Sequence, residues 1–153
     1  MDSKKISTSK LPIDEPASLS LALWRNGFPP QDLNRVLAFL EGFSPSAIEA
    51  GRTLINEGDP AENLFAVRTG KFEVLRRGPD GRQARVAVLG PGSLLGEMGV
   101  LSGAPRAATV RAIENASVFT ISRSDLRWLM GQSTEFAEQV NQLASARRKE
   151  IAA

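Results

Sequence analysis

The sequence predicts a mainly β fold with flanking helices: an antiparallel β-roll, sandwich or barrel-like, preceded by two helices, interrupted by a short one and closed by two more. Three observations predict it. Between residues 43 and 121, short apolar runs alternate with clusters of turn-forming residues. On either side of that stretch, apolar residues recur at helical spacing. Within it, one segment, GEMGVLSGAPRAATV at 96–110, fits neither period.

Residues 1–17 are rich in Ser, Lys and Pro, with little apolar surface to set against the entropy of ordering, and are expected to form a disordered tail. Residues 18–42 carry the N-terminal helices. Leu19, Leu21, Ala22, Leu23 and Trp24 make a short apolar segment that Gly27-Phe28-Pro29-Pro30 stops. A second helix is expected from about Gln31 to Leu40, with Leu33, Val36, Leu37 and Leu40 along one side.

Residues 43–121 are expected to form the roll. Phe72 and Val74 alternate with charged neighbours, and Val86 and Val88 follow Arg85 in the same way. Glu57-Gly58-Asp59-Pro60, Thr69-Gly70, Pro79-Asp80-Gly81 and Gly90-Pro91-Gly92 supply the turns. After the interruption, two more strands are expected around Ala108–Ile113 and Ser117–Ile121. Residues 122–153 are helical. Ser122 and Asp125 resemble a capping box, and Gly131 reads as the stop of the first C-terminal helix. Ser133 can cap a longer one, with Phe136, Val140, Leu143 and Ala144 along one side. The basic run Arg147-Arg148-Lys149 suits a solvated helix end, where it complements the dipole, better than a nucleic-acid tail.

Composition narrows the chemistry. The chain of 153 residues has no cysteine and no histidine, which removes disulfides, thiolate chemistry, the commonest metal ligand and the commonest general base. No catalytic residue and no metal site is expected. A net charge of +2 argues for no nucleic-acid partner. No apolar run approaches the ~20 residues of a membrane span, and MDSKKISTSK lacks a signal-peptide core. The expected location is cytoplasmic, as a protein or as the cytoplasmic part of one.

The interruption carries the functional signal. Gly96 permits an unusual backbone conformation or a close approach to the main chain. Residues 97–101 can form one or two helical turns, whose first N–H groups lack internal partners and attract anions. Ser102-Gly103 ends the turn, and Pro105 stiffens the return. Arg106 offers fixed donors for two phosphate oxygens, and Ala107 and Ala108 are small enough for their N–H groups to come near a ligand. Glu97 repels phosphate, but an ionised carboxylate accepts hydrogen bonds and so reads a hydroxyl such as a ribose 2′-OH. A nucleotide whose phosphate is folded onto its own ribose satisfies both charges. Taken alone, Glu97 and Arg106 also read as a surface ion pair, and the glycines as ordinary turns.

In this context the sequence resembles the cyclic-nucleotide-binding domain family, over roughly residues 28–150. GSLLGEMGVLSGAPRAATVRA at 92–112 is similar to the family's phosphate-binding cassette. TLINEGDPAENLFAVRTGKFEV is similar to its early strands, with Gly58 and Gly70 at the glycine turns. The resemblance implies that Glu97 binds the ribose 2′-OH and Arg106 the cyclic phosphate. Gly96, Met98 and the backbone of Ala107 and Ala108 complete the ligand-binding positions. Threonine directly after the arginine favours cyclic GMP in the family; Ala107 stands there, which resembles the cyclic-AMP type and leaves cyclic GMP as the second ligand. The resemblance also implies a C-terminal helix that closes over the base about a hinge near Gly131. Phe136, Val140, Leu143 and Arg147 are the candidate base-lid residues, with core packing or a partner helix as the other reading of the apolar ones.

The expected function is a sensor that passes a helix rearrangement to a downstream effector domain or protein, with no cofactor beyond its ligand. The alternatives are a ligand-free interaction module of the same fold and, with no group to activate water, less readily an enzyme. The chain ends at IAA without the helix-turn-helix that cyclic-AMP receptor proteins carry, so the expectation is a free-standing sensor or a piece of a longer protein.

Overall fold

The structure, a computed structural model, describes residues 18–152; the tail expected at 1–17 lies outside the described residues. Two helices open it, α1 (Leu19–Arg25) and α2 (Pro30–Leu40). The Ser18 hydroxyl accepts from the Leu21 N–H at 3.0 Å, which caps α1. Pro30 begins α2, where its missing N–H costs nothing and its fixed φ suits the first turn.

Eight strands follow among the described residues. They are β1 (Ser46–Ile48), β2 (Thr53–Ile55), β3 (Asn63–Thr69) and β4 (Phe72–Arg77), then β5 (Gln83–Leu89), β6 (Leu94–Leu95), β7 (Thr109–Ala112) and β8 (Ala116–Ser122). All pairs are antiparallel, in two sheets ordered β1-β8-β3-β6 and β2-β7-β4-β5. The short α3 (Glu97–Ser102) sits between β6 and β7, and α4 (Arg123–Gln132) and α5 (Thr134–Ala152) close the chain. Two antiparallel sheets flanked by helices are the roll that the sequence predicts.

The alternation of side chains explains the layering. On β3, Leu64 and Ala66 face the helices, whereas Val67 and Phe65 face the other sheet. On β8, Phe119 and Ile121 take the helix side, and Ala116 and Val118 the sheet side. The first sheet is therefore covered on both faces, which is why β3 reads as an almost unbroken apolar run. The helix-side core also takes in Leu23, Phe28, Leu33 and Val36 from the N-terminal segment and Phe136 and Val140 from α5. The rings of Phe28 and Phe136 lie 5.1 Å apart. The N-terminal helices thus belong to the same core as the roll.

At the C-terminal end, the capping box forms as predicted. Asp125 N–H donates to the Ser122 hydroxyl at 3.1 Å, and Ser122 N–H donates to the Asp125 carboxylate at 3.2 Å. Ser133 caps α5 by accepting from the Phe136 N–H at 3.1 Å. Gly131 is a correction. It lies within α4, which runs on to Gln132, and the break between α4 and α5 falls at Ser133, whose φ is −152°. A glycine near a helix end reads the same in sequence whether it stops the helix or sits inside its last turn.

Among the described residues, no helix is long and apolar enough to cross a membrane, and no group of acidic residues is placed to hold a metal ion.

Candidate functional site

A cleft of about 580 Å³ opens between the segment 95–108, strand β5 and helix α5. Gly96, Glu97, Met98, Arg106, Ala107 and Ala108 all line it. The polar side chains in its wall are Glu97, Arg106 and Arg147; the rest is apolar.

Local chemistry places the first two. Gly96 is in the left-handed region at φ 83°, which turns β6 sharply into α3. A Cβ there would stand 2.4 Å from Arg106 Nη1 and 3.0 Å from Ile55 Cδ1, so the position admits no side chain. That turn lets the Gly96 carbonyl accept from Arg106 Nη1 at 3.0 Å, while Arg106 Nη2 donates to the Asn63 carbonyl at 2.5 Å. The backbone of Arg106 is held as well. Its N–H donates to the Asp59 carbonyl, and its carbonyl accepts from Gly58 N–H, both at 2.8 Å. The turn at Gly58, with φ 90°, therefore fixes the backbone of the arginine.

Burial leaves Arg106 9% exposed. It pulls the guanidinium below its ordinary pKa, opposed by the carboxylates of Glu97, Asp59 and Glu62. An arginine so displaced is still charged at neutral pH. The ion-pair reading of Glu97 and Arg106 is not what forms. Glu97, 1% exposed, pairs through Oε2 with Arg147 Nη1 at 2.8 Å, and Arg147 Nη1 also donates to the Leu94 carbonyl. Glu97 Oε1 has no hydrogen-bond partner among the described residues. A buried carboxylate oxygen in that state is a ready acceptor for a hydroxyl.

The candidate lid residues divide. Leu143 and Arg147 line the cleft, with Ala146 beside them. Phe136 and Val140, both 0% exposed, are corrected to the helix-side core, where they pack against the N-terminal helices and the roll. Sequence reading missed three features. Val86 and Val88 of β5 form a cleft wall, although their alternation was visible and only the face was not. Arg147 meets Glu97 across 50 residues, with no local signal. Arg123, the first residue of α4, reaches back to α3, with Nε donating to the Val100 carbonyl at 3.2 Å and Nη2 to the Ala61 carbonyl at 3.1 Å.

A roll interrupted by a glycine-turned helix thus sets a buried carboxylate and a buried guanidinium on the wall of one cleft. The family model for the cyclic nucleotide-binding domain matches residues 45–133, and the chain belongs to that family. It is 29% identical over 119 residues to a CRP-like cAMP-activated global transcriptional regulator of Mycobacterium tuberculosis, covering 70% of this chain and 53% of the regulator. It is 34% identical over 101 residues to a cyclic nucleotide-gated potassium channel of Mesorhizobium japonicum, covering 66% of this chain and 26% of the channel. Among solved structures, the catabolite activator protein of Thermus thermophilus superposes with a TM-score of 0.71 at 27% identity, over 86% of this chain and 60% of that one. The regulatory domain of Toxoplasma gondii PKA with cAMP gives a TM-score of 0.63 at 33% identity, over 73% and 43%. The chain thus spans about half the length of the regulator it matches.

Proposed function

We propose that this chain binds a 3′,5′-cyclic nucleotide, with cyclic AMP preferred over cyclic GMP, and acts as a sensor rather than an enzyme. The observation that carries the reading is the pair of buried opposite charges on one cleft wall, Glu97 with an oxygen left free and Arg106 held by two backbone carbonyls. The cyclic phosphate would lie against Arg106 and the N–H groups of Ala107 and Ala108, with Gly96 and Met98 beside it. The ribose 2′-OH would donate to Glu97 Oε1, while Oε2 stays with Arg147. Two carboxylate oxygens then serve two partners. The relatives, which include a cAMP-activated regulator and a PKA regulatory domain solved with cAMP, support cyclic AMP as the ligand.

The sensing step follows from where α5 sits. Arg147 and Leu143 reach the cleft from α5, so a ligand held there gains contacts only while α5 is docked. Ligand therefore shifts the population toward the docked arrangement, and the change in α5 is what a downstream effector domain or protein would read. The chain has neither His nor Cys, and the two oxygens of Glu97 would be taken up by Arg147 and the ribose hydroxyl, which leaves no group in the cleft to activate water.

Titration calorimetry with cyclic AMP and cyclic GMP tests the reading. Wild-type protein is expected to bind cyclic AMP at micromolar concentration or below, and Arg106→Ala to lose roughly 100-fold or more through the missing charge-assisted bonds. No heat with either nucleotide would sink it.

A further inference from the structure

The short helix α3 carries a glycine in its middle, Gly99, although glycine is the poorest helix former after proline. No unusual backbone conformation requires it, since Gly99 is not among the glycines with positive φ. The reason is space. A Cβ at position 99 would stand 2.4 Å from the Ala61 Cβ and 3.1 Å from the Ala104 carbonyl oxygen. Ala104 is exposed, in the segment after α3, and can yield. Ala61 is buried, and its carbonyl accepts from Arg123 Nη2, so it has little room to give. The backbone of α3 therefore rests directly on the connection between β2 and β3, residues 56–62. The same connection holds the other charge of the site. Gly58 N–H donates to the Arg106 carbonyl, and Arg106 N–H donates to the Asp59 carbonyl. Within four residues, the chain thus touches both the helix that begins with Glu97 and the backbone of Arg106.

We infer that Gly99 and Ala61 are a matched pair of positioning residues. Their contact, backbone against methyl, seats α3 on the β2–β3 connection and so sets the separation between the Glu97 carboxylate and the Arg106 guanidinium. Neither residue brings a polar side-chain atom to the cleft. The inference rests on the cyclic-nucleotide reading and adds to it the contact that fits the two charges to one ligand. A rigid ring that carries both a hydroxyl and a phosphate tolerates little error in that separation. A methyl added at position 99 has to lift α3, and Glu97 with it, away from Ala61. Removing the methyl at position 61 makes room again. The Ala61 Cα would then lie 3.9 Å from the new Cβ, an ordinary van der Waals distance.

Exchanging the two side chains tests the pair, on the full chain, with wild type, Gly99→Ala, Ala61→Gly and the double variant. Calorimetry reads the affinity for cyclic AMP and for its 2′-deoxy analogue, and hydrogen exchange reads α3 in the free proteins. Gly99→Ala is expected to weaken cyclic AMP about 10–100-fold, the usual scale of overpacking. It should also shrink the penalty for the missing hydroxyl from about 10–100-fold to less than about 10-fold, because Glu97 no longer meets that hydroxyl. A domain that is merely less stable would keep the penalty. The double variant is expected within about 3-fold of Ala61→Gly in affinity, with the penalty restored. Exchange in residues 97–102 should quicken in Gly99→Ala and slow again in the double variant. If the double variant binds as weakly as Gly99→Ala, the methyl acts in the cleft itself and the inference falls. It falls too if Gly99→Ala keeps both its affinity and the penalty. Should Gly99→Ala fail to fold, the double variant decides: affinity within about 3-fold of Ala61→Gly supports the pair, and a larger loss overturns it. If wild type binds no cyclic nucleotide, the functional reading fails, and the exchange rates alone then decide whether this pair seats α3.

Discussion

Burying a carboxylate is costly unless its oxygens find donors, and Glu97 has a donor for only one of them. An unsatisfied buried acceptor costs about 1–3 kcal/mol, a cost that the ribose hydroxyl of a bound nucleotide would remove. The 2′-deoxy analogue of cyclic AMP isolates that contact. Wild-type protein is expected to bind it about 10–100-fold more weakly than cyclic AMP, the worth of one hydrogen bond to a charged group. In Glu97→Gln, where the acceptor is neutral, the gap should shrink to less than about 10-fold. Calorimetry on both proteins with both ligands measures it, and an unchanged gap would place the hydroxyl elsewhere. At this scale much of the site was legible, because glycine, carboxylate and guanidinium each have a narrow chemistry and here fall within 11 residues. Arg147 was legible only as a lid candidate. Its pairing with Glu97 depends on where a helix 50 residues away comes to rest, which no local pattern encodes.

Among the elements, α3 is the one that joins the cleft to α4. Its first residue, Glu97, faces the cleft, and the Val100 carbonyl near its other end accepts from Arg123. The last carbonyls of any helix lack internal donors. In α3, Gly103 N–H meets the Gly99 carbonyl and Arg123 the Val100 carbonyl. One guanidinium at the start of α4 therefore closes α3 and also holds the Ala61 carbonyl of the β2–β3 connection. Lysine is a point donor without the planar fork and cannot reproduce both bonds. Arg123→Lys is expected to cost about 1–2 kcal/mol in denaturant unfolding. Hydrogen exchange should quicken in residues 97–102 and not at the start of α4, which keeps its Ser122 cap. Equal protection of α3 in both proteins would show that α4 does not steady the cassette. The turn residues made most strand boundaries readable, since Gly58 and Gly70 do adopt positive φ. Helix ends were less so. Gly131 has the composition of a stop, and only the packing of α4 shows that the helix continues through it.

Taken whole, the helix-side core runs from α1 over one face of the first sheet to α5, and α5 reaches the cleft beyond it. Residues 136 and 147 are separated by about 16 Å along a helix, so one stripe of side chains meets the core at one end and the cleft at the other. Spacing of 3–4 residues identifies the stripe but not the point at which its surroundings change, which is why four lid candidates became two. The division predicts two different phenotypes from one helix. Phe136 is fully buried against Phe28, and Phe136→Ala should destabilise the domain by about 3–5 kcal/mol by opening a cavity in the shared core. Leu143 is only partly buried and borders the cleft, so Leu143→Ala should cost about 1 kcal/mol or less in stability while weakening cyclic AMP several-fold through lost apolar cover. Urea unfolding of the free proteins measures the first quantity, and calorimetry the second. If Leu143→Ala lost stability on the scale of Phe136→Ala and kept its affinity, the C-terminal half of α5 would be core as well, and the ligand would have no lid to pull on.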